Sequence, residues 1–211
     1  MQLYILRHGE TECNKLGQWY CPITSPINET GIFQAKDIGR KLDKIKFDKI
    51  YLSPAKRCIQ TAEYALGNSL DHRSTIENDL VERDLKGLRN LNTVEILEKY
   101  NIDLDKPTTS KIDHLGDIEN SGKFHSRIRS TVERIISNGK KDENILLVTH
   151  GGVLFSFSEQ FLNLEPKRST FENCAFLGLN IDENGFSPFL SINVRQDWYR
   201  EVNPSWSSLR L

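Results

Sequence analysis

The sequence of 211 residues lacks an excess of charge of either sign, with 28 lysine and arginine residues against 29 aspartate and glutamate residues. This balance gives no overall attraction to nucleic acid or to an anionic membrane, so we expect neither as a partner. No stretch approaches the roughly 18 apolar residues of a membrane span, and the short N-terminal apolar run does not predict a signal peptide. The 4 cysteines form no C-x-x-C pair. We therefore expect reduced thiols and a cytoplasmic protein.

Several motifs of common enzyme classes are also missing. No H-x-x-x-H or H-E-x-x-H spacing occurs, so the histidines do not predict a metal site. No G-x-S-x-G elbow and no G-x-x-x-x-G-K-[ST] loop occurs, which argues against a serine hydrolase and a P-loop nucleotide enzyme. The sequence thus predicts a site that needs neither a metal ion nor a cofactor.

Short apolar runs alternate with helical stripes along the chain. The predicted strands are Leu3–Leu6, Lys49–Leu52, a weaker Thr75–Val81, Ile145–Val148, Ala175–Ile181 and Phe186–Val194. The predicted helices run from Asn28 as cap through Ile45, from Ser53 as N-cap with Pro54 at N1 to Gly67, over Thr93–Tyr100, over Phe124–Ile135, and after Gly152. This rhythm predicts an α/β three-layer sandwich with a mostly parallel central sheet, a single domain over 1–211, and a cap insertion at about 92–120.

Candidate catalytic residues follow four of the predicted strands. Arg7 and His8 end the first strand, Arg57 follows the second, Glu82 the third, and His150 the long apolar one. Ligands of open α/β sheets bind beyond the carboxyl ends of the strands. Each residue alone is ordinary, but two histidines, two arginines and a glutamate at one sheet edge predict an active site.

The ordered set of motifs resembles the histidine phosphatase (phosphoglycerate mutase-like) superfamily. The matching blocks are Leu6-Arg7-His8-Gly9-Glu10-Thr11 with Asn14, Ser25-Pro26-Ile27 with Gly31, Ser53-Pro54-Ala55-Lys56-Arg57 with Gln60-Thr61-Ala62-Glu63, Leu80-Val81-Glu82-Arg83 with Gly87, and Val148-Thr149-His150-Gly151-Gly152. The sequence departs from the pattern at Thr24, where many members have aspartate, and at 88–90. The resemblance therefore indicates the chemistry more strongly than the substrate.

The resemblance implies a phosphomonoesterase that acts on a small phosphorylated metabolite through a phosphohistidine. His8 would be the nucleophile, and Glu82 would protonate the leaving oxygen and later activate water. Arg7 and Arg57 would hold the phosphate oxygens, and His150 would donate a hydrogen bond to the transferring phosphoryl group. The candidate residues for binding phosphate or substrate are Asn14, Tyr20, Cys21, Thr24 and Gly151.

Two other functions stay open, a cofactor-dependent mutase of the phosphoglycerate mutase type and a binding module without catalysis. The mutases carry arginines for a second anionic group between the acid and the second histidine, whereas residues 92–120 contain no arginine. This segment has 7 acidic residues against 3 lysines. We therefore expect a phosphatase that prefers singly phosphorylated, otherwise neutral compounds, with Trp19 and Tyr20 stacking on a sugar or heterocycle. The sequence leaves a homodimer as an option.

Overall fold

The computed structural model describes residues 1–70, 73–102, 112–164, 166 and 169–195. Within this part of the chain one mixed sheet contains six strands in the order β3-β2-β4-β1-β5-β6. The strands are β1 (Gln2–Arg7), β2 (Lys49–Leu52), β3 (Ser74–Ile76), β4 (Asn144–Thr149), β5 (Phe171–Asp182) and β6 (Gly185–Val194). The pairs β1–β4, β2–β4 and β2–β3 are parallel, and β5 joins the edge of β1 in the antiparallel sense.

Helices cover both faces of this sheet. They are α1 (Glu12–Lys15), α2 (Glu29–Leu42), α3 (Lys56–Leu66), α4 (Thr93–Tyr100), α5 (Ser121–Ser137) and α6 (Gly151–Phe161). Successive residues of the central strands point to opposite faces, so Leu3 and Ile5 join a core with α5 and α6, whereas Tyr4 and Leu6 join a core with α2 and α3. Two cores separated by the sheet confirm the three-layer α/β sandwich. No helix in the described residues combines the length and the hydropathy that crossing a membrane requires.

The predicted N-cap of the helix that follows strand β2 is wrong. Helix α3 begins at Lys56 with Ala55 as N-cap and without a side-chain cap, so Pro54 lies before the helix. The Ser53 hydroxyl instead lies 2.8 Å from Nε2 of His150. A buried imidazole from the neighbouring strand end is the partner of Ser53, which a local capping rule does not consider.

The predicted C-terminal ends of two other elements are wrong. Strand β3 stops at Ile76, because the Glu77 carboxylate accepts from the amide of Asp79 and starts a 3-10 turn over Asn78–Leu80. Helix α2 ends at Leu42, before Ile45. The side-chain caps of α2, α4 and α5 are Asn28, Asn92 and Asn120.

The described part of residues 85–118 packs around an apolar cluster of its own. Leu88, Ile96, Ile102 and Ile112 are its buried members, and the ring of Trp19 packs against them. An isolated bridge between Gln18 and Asn92 connects this part to the loop after α1. The cluster therefore lies next to the loops that follow β1.

Candidate active site

The carboxyl ends of β1, β2, β3 and β4 surround a cavity of about 470 Å³. All five residues predicted from the strand ends line it, namely Arg7, His8, Arg57, Glu82 and His150. Because β5 is antiparallel to β1, its first residues lie at the same edge, and Phe171 also lines the cavity. The topology of the sheet thus brings together residues that are up to 164 positions apart in the chain.

His8 is a buried and neutral imidazole. Its Nδ1 atom lies 2.8 Å from the carbonyl oxygen of Gly9, and since a carbonyl only accepts, Nδ1 carries the proton and Nε2 keeps a lone pair. Burial lowers the pKa of His8 well below its usual value, and the charges of Arg57 and Arg7 lower it further. The side chain is therefore uncharged at neutral pH, and its Nε2 atom carries no proton.

The two arginines keep donor groups unused in the buried part of the site. Arg7 donates from Nη1 to the carbonyl of Phe171, and Arg57 donates from Nη1 to the carbonyl of Pro22 at 2.9 Å. The Nε–H groups of Arg7 and Arg57 are both buried, and neither has a hydrogen-bond partner in the described structure. A buried donor without a partner costs free energy of about 1–3 kcal/mol. Both guanidinium groups also line the cavity, so their charge makes the site suited to a phosphate group.

His150 has partners within the protein at both ring nitrogens. Arg57 Nη2 lies 3.2 Å from Nδ1 of His150, and because arginine only donates, Nδ1 is the acceptor. The proton is then on Nε2, which donates to the Ser53 hydroxyl at 2.8 Å. Burial and the charge of Arg57 lower the pKa of His150 well below its usual value. Both ring nitrogens therefore have protein partners, and the centre of the ring lies 5.2 Å from that of His8.

Two backbone amides hold the carboxylate of Glu82 at the wall of the cavity. Arg83 N donates to Oε1 at 2.9 Å, and Gly152 N donates to Oε2 at 3.0 Å. A Cβ atom on Gly152 would lie only 2.1 Å from Oε1, so this close approach requires a glycine. Helix α6 begins at Gly151, and its positive end faces this carboxylate.

Four of the five residues predicted to bind phosphate or substrate line the cavity, namely Asn14, Tyr20, Cys21 and Gly151. Asn14 Oδ1 accepts from Thr11 N at 3.2 Å and from Asn173 Nδ2 at 3.1 Å, which leaves the Asn14 amide N–H groups for a ligand. Thr24 is exposed and is not among the residues that form the wall. A contact of Thr24 with the substrate therefore stays a prediction from the sequence.

Several side chains that line the cavity are apolar, and only some of them were predicted from the sequence. Trp19 and Tyr20 lie there as expected, and the indole Nε1 of Trp19 donates to Thr93 Oγ1 at 3.0 Å. The other apolar members are Ile23, Val81, Leu85, Ile112, Phe124, Phe155 and Phe171. They come from six separate parts of the chain, and no local pattern marks them.

The described acidic side chains of residues 92–120 do not form the wall of the cavity. None of the described acids of this segment, Glu95, Glu98, Asp113, Asp117 and Glu119, lines it, and Asp113 forms an ion pair with Arg83. Asp103, Asp105, Lys106 and Lys111 lie outside the described residues. The charged residues of the wall are Arg7, Arg57, Glu82, Arg83, Asp84 and Lys86. The prediction that this segment repels a second anionic group is therefore not supported by the side chains that the structure describes.

Comparison with known proteins identifies the family of this chain. Residues 3–193 match the sequence profile of the histidine phosphatase superfamily (branch 1). An adenosylcobalamin/alpha-ribazole phosphatase of Salmonella typhimurium is 29% identical over 212 residues, covering 95% of this chain and 100% of that protein. A broad-specificity phosphatase of Saccharomyces cerevisiae is 31% identical over 160 residues, covering 73% and 67%.

Solved structures share the fold. Bacillus stearothermophilus YhfR has a TM-score of 0.75 and 24% identity, covering 89% of this chain and 94% of that one. A phosphoglycerate mutase of Bacillus anthracis has a TM-score of 0.73 and 22% identity, covering 92% and 93%.

Proposed function

This chain belongs to the histidine phosphatase superfamily, and we propose that it hydrolyses monoesters of phosphoric acid through a covalent phosphohistidine formed on His8. Phosphatases are its relatives, and small phosphorylated compounds are its substrates. The observation that carries the proposal is a neutral His8 that lines the same cavity as the two cations Arg7 and Arg57. The two cations offset the charge of the phosphoryl group without a metal ion. The described residues contain no cluster of metal-ligating side chains.

The first step transfers the phosphoryl group to the enzyme. Nε2 of His8 attacks phosphorus while the ester P–O bond breaks, and Glu82 in its acid form gives its proton to the leaving oxygen. Arg7 and Arg57 stabilise the charge on the equatorial oxygens, and the free amide of Asn14 adds a donor. Because His150 accepts from Arg57 and donates to Ser53, we assign it the role of orienting the Arg57 guanidinium.

The second step releases phosphate and restores the enzyme. Glu82, now a carboxylate, takes a proton from a water molecule, whose oxygen attacks phosphorus as the P–N bond to His8 breaks. The amides of Arg83 and Gly152 keep the carboxylate in the same place for both steps. One carboxyl group thus supplies the proton and later recovers one.

The apolar wall supports a substrate with a bulky, flat leaving group. Trp19, Tyr20 and Phe155 are half-buried aromatic side chains that line the same cavity as the arginines, which suits a nucleoside better than a bare polyol. A relative that covers nearly the whole chain is named an adenosylcobalamin/alpha-ribazole phosphatase. We therefore propose that the substrates are nucleotide-like monophosphates, on the ground of the aromatic wall rather than of an acidic cap.

A matched substrate pair tests this proposal. Adenosine 5′-monophosphate and ribose 5-phosphate share the phosphate and the sugar, so a difference in kcat/KM measures the contribution of the base. We expect a preference of about tenfold for the nucleotide, equivalent to about 1.4 kcal/mol, and we expect Tyr20→Leu to reduce it. Phosphate release is assayed in EDTA, with isomerisation of 3-phosphoglycerate measured beside it. Equal kcat/KM values would reject the nucleotide preference, and isomerisation faster than hydrolysis would favour a mutase.

The glycine at position 152 gives a second test of the site. Gly152→Ala places a methyl group against Oε1 of Glu82, so the carboxyl group must move, and we expect kcat for an alkyl phosphate to fall about 100-fold. Gly116→Ala is the matched control, because a Cβ atom there would have no contact within 4 Å and Gly116 does not line the cavity. Thermal unfolding of both variants shows whether the fold is retained. Similar losses in the two variants would argue against the close packing of Glu82 on Gly152.

We also propose that residues 92–120 form a cap on a single catalytic domain and that the protein is cytoplasmic. The separate apolar cluster around Leu88 and Ile96, which reaches the cavity through Ile112 and Trp19, supports a cap. Free thiols at Cys13, Cys21, Cys58 and Cys174 support a reducing compartment.

A further inference from the structure

The segment that carries Glu82 has no strand partner of its own. The 3-10 turn over Asn78–Leu80 precedes it, and the next 3-10 turn begins at Lys86. Its backbone groups therefore do not obtain their hydrogen bonds from a sheet ladder or an α-helix. Their partners decide where the carboxyl group of Glu82 lies.

Arg127 on helix α5 binds the chain just before Glu82. Its Nη1 donates to the carbonyl of Asp79 at 2.6 Å and to the carbonyl of Val81 at 3.1 Å. The other side of the guanidinium forms a two-pronged ion pair with Glu119, from Nε to Oε1 at 3.1 Å and from Nη2 to Oε2 at 2.8 Å. Together these contacts use four of the five N–H groups of the guanidinium.

Glu119 binds the chain just after Glu82. Its Oε2 accepts from Asp84 N at 3.2 Å, its backbone N donates to Asp84 O at 2.8 Å, and its backbone O accepts from Arg83 Nε at 2.8 Å. The amide of Arg83, which holds Glu82 Oε1, lies between these contacts. Arg127 and Glu119 thus fix both neighbours of the catalytic carboxyl group.

The ion pair between Arg127 and Glu119 is partly shielded from water, so it can hold the neighbouring backbone in place. The side chains of Arg127 and Glu119 are only 18% and 19% exposed, and they lie at the wall of a second, open cavity that Glu82 also lines. Lysine would keep the charge but could not form the planar two-pronged pair and reach two carbonyls at once. The geometry at position 127 therefore requires arginine. An exposed ion pair on the surface would accept lysine as well.

We propose that Arg127 and Glu119 are positioning residues that hold Glu82 where it can exchange a proton with the leaving oxygen and with water. This inference rests on the proposed function, in which Glu82 is the proton donor. A displacement of the carboxyl group by about 1 Å is sufficient to cost up to about 100-fold in rate. The loss must depend on how much the leaving group needs a proton.

The test measures kcat/KM for a series of phosphate esters with leaving groups of different basicity. For Arg127→Lys we expect a 10- to 100-fold loss, by the same relation, on an alkyl phosphate and about a threefold loss or less on a nitrophenyl phosphate. Glu119→Gln should show the same trend, because it removes the charge that pairs with Arg127. Arg127→Ala is also measured if this variant folds. If it does not fold, Arg127→Lys alone provides the test.

Arg134→Lys is the matched control. Arg134 lies on the same helix and forms an ion pair of 2.7 Å with Glu77, but its partner is outside the segment that carries Glu82. We expect this variant to leave the dependence on the leaving group unchanged. Equal, leaving-group-independent losses in Arg127→Lys and Arg134→Lys would show a purely structural role and overturn the inference.

The variant Glu82→Gln separates the two proposals. Suppose that kcat/KM depends more steeply on the basicity of the leaving group in Glu82→Gln but not in Arg127→Lys. The positioning role then fails, and the proposed function stands. If Glu82→Gln leaves the dependence unchanged, the assignment of Glu82 as proton donor fails, and the inference fails with it. In the double variant Glu82→Gln with Arg127→Lys, we expect no loss beyond that of Glu82→Gln, because both act through one group.

Discussion

His8→Ala is expected to lower kcat by about 10⁴-fold or more for every phosphate ester that the protein hydrolyses. The loss should not depend on the leaving group, because the variant removes the atom that attacks phosphorus. His150 cannot replace it, since Arg57 and Ser53 engage both of its ring nitrogens. Phosphate release under saturating substrate, measured beside the wild type, checks the size of the effect.

A covalent intermediate gives this prediction its second measurement. Rapid quenching of the wild type with a good substrate should trap a phosphoenzyme that is labile in acid and stable in base, with the phosphate on His8. His125→Ala is the matched control, because His125 lies outside the cavity beside Glu159 and should leave turnover unchanged. Wild-type turnover in His8→Ala, or a phosphate trapped on another residue, would reject His8 as the nucleophile.

Glu82→Gln is expected to lower kcat/KM for an alkyl phosphate by about 10²–10⁴-fold, and far less for an aryl phosphate. Glutamine cannot give up a proton, which an alkoxide leaving group needs and a nitrophenolate does not. The comparison uses kcat/KM because this quantity reports the first chemical step and not the later attack of water. Only one of the amides of Arg83 and Gly152 can donate to the side-chain oxygen of glutamine, because the other amide then faces the side-chain NH2 group. Thermal unfolding of the variant therefore checks that the fold is retained.

Asp84→Asn is the control for this substitution. It makes the same change from carboxylate to amide two residues away and also at the wall of the cavity, but Asp84 pairs with Lys86. We expect it to affect both classes of ester equally and weakly. If Glu82→Gln also lowered kcat/KM equally for the alkyl and the aryl ester, Glu82 would not be the proton donor.

Local rules predicted the central elements well. The continuous apolar run at Ile145–Val148 gave a strand with parallel neighbours on both sides, and the stripe after Asn28 gave a helix capped by that residue. These features depend on the periodicity of nearby side chains, which the sequence contains directly. Ser53 failed as a cap because its partner, His150, is 97 positions away.

The apolar wall shows a second limit of the sequence. Trp19 and Tyr20 were identified because they follow the first motif, but Phe155 and Phe171 reach the cavity only through the packing of α6 and the antiparallel placement of β5. The acidic residues of 92–120 failed in the opposite way. Their count is visible in the sequence, but their contacts depend on how the segment packs, and Asp113 forms an ion pair with Arg83.

The sequence by itself indicated the chemistry, because His8, Arg57 and His150 follow a strand or lie at the start of a helix, and parallel strands end at one edge of a sheet. The tertiary structure alone decided how that chemistry is held. The tautomer of His8, the bonds of His150, and the contacts of Arg127 and Glu119 with the chain around Glu82 all join groups that are distant in the chain or fixed by the backbone. A hydrogen bond depends on distance and direction in space, and these arise only once the sheet and its helices have packed.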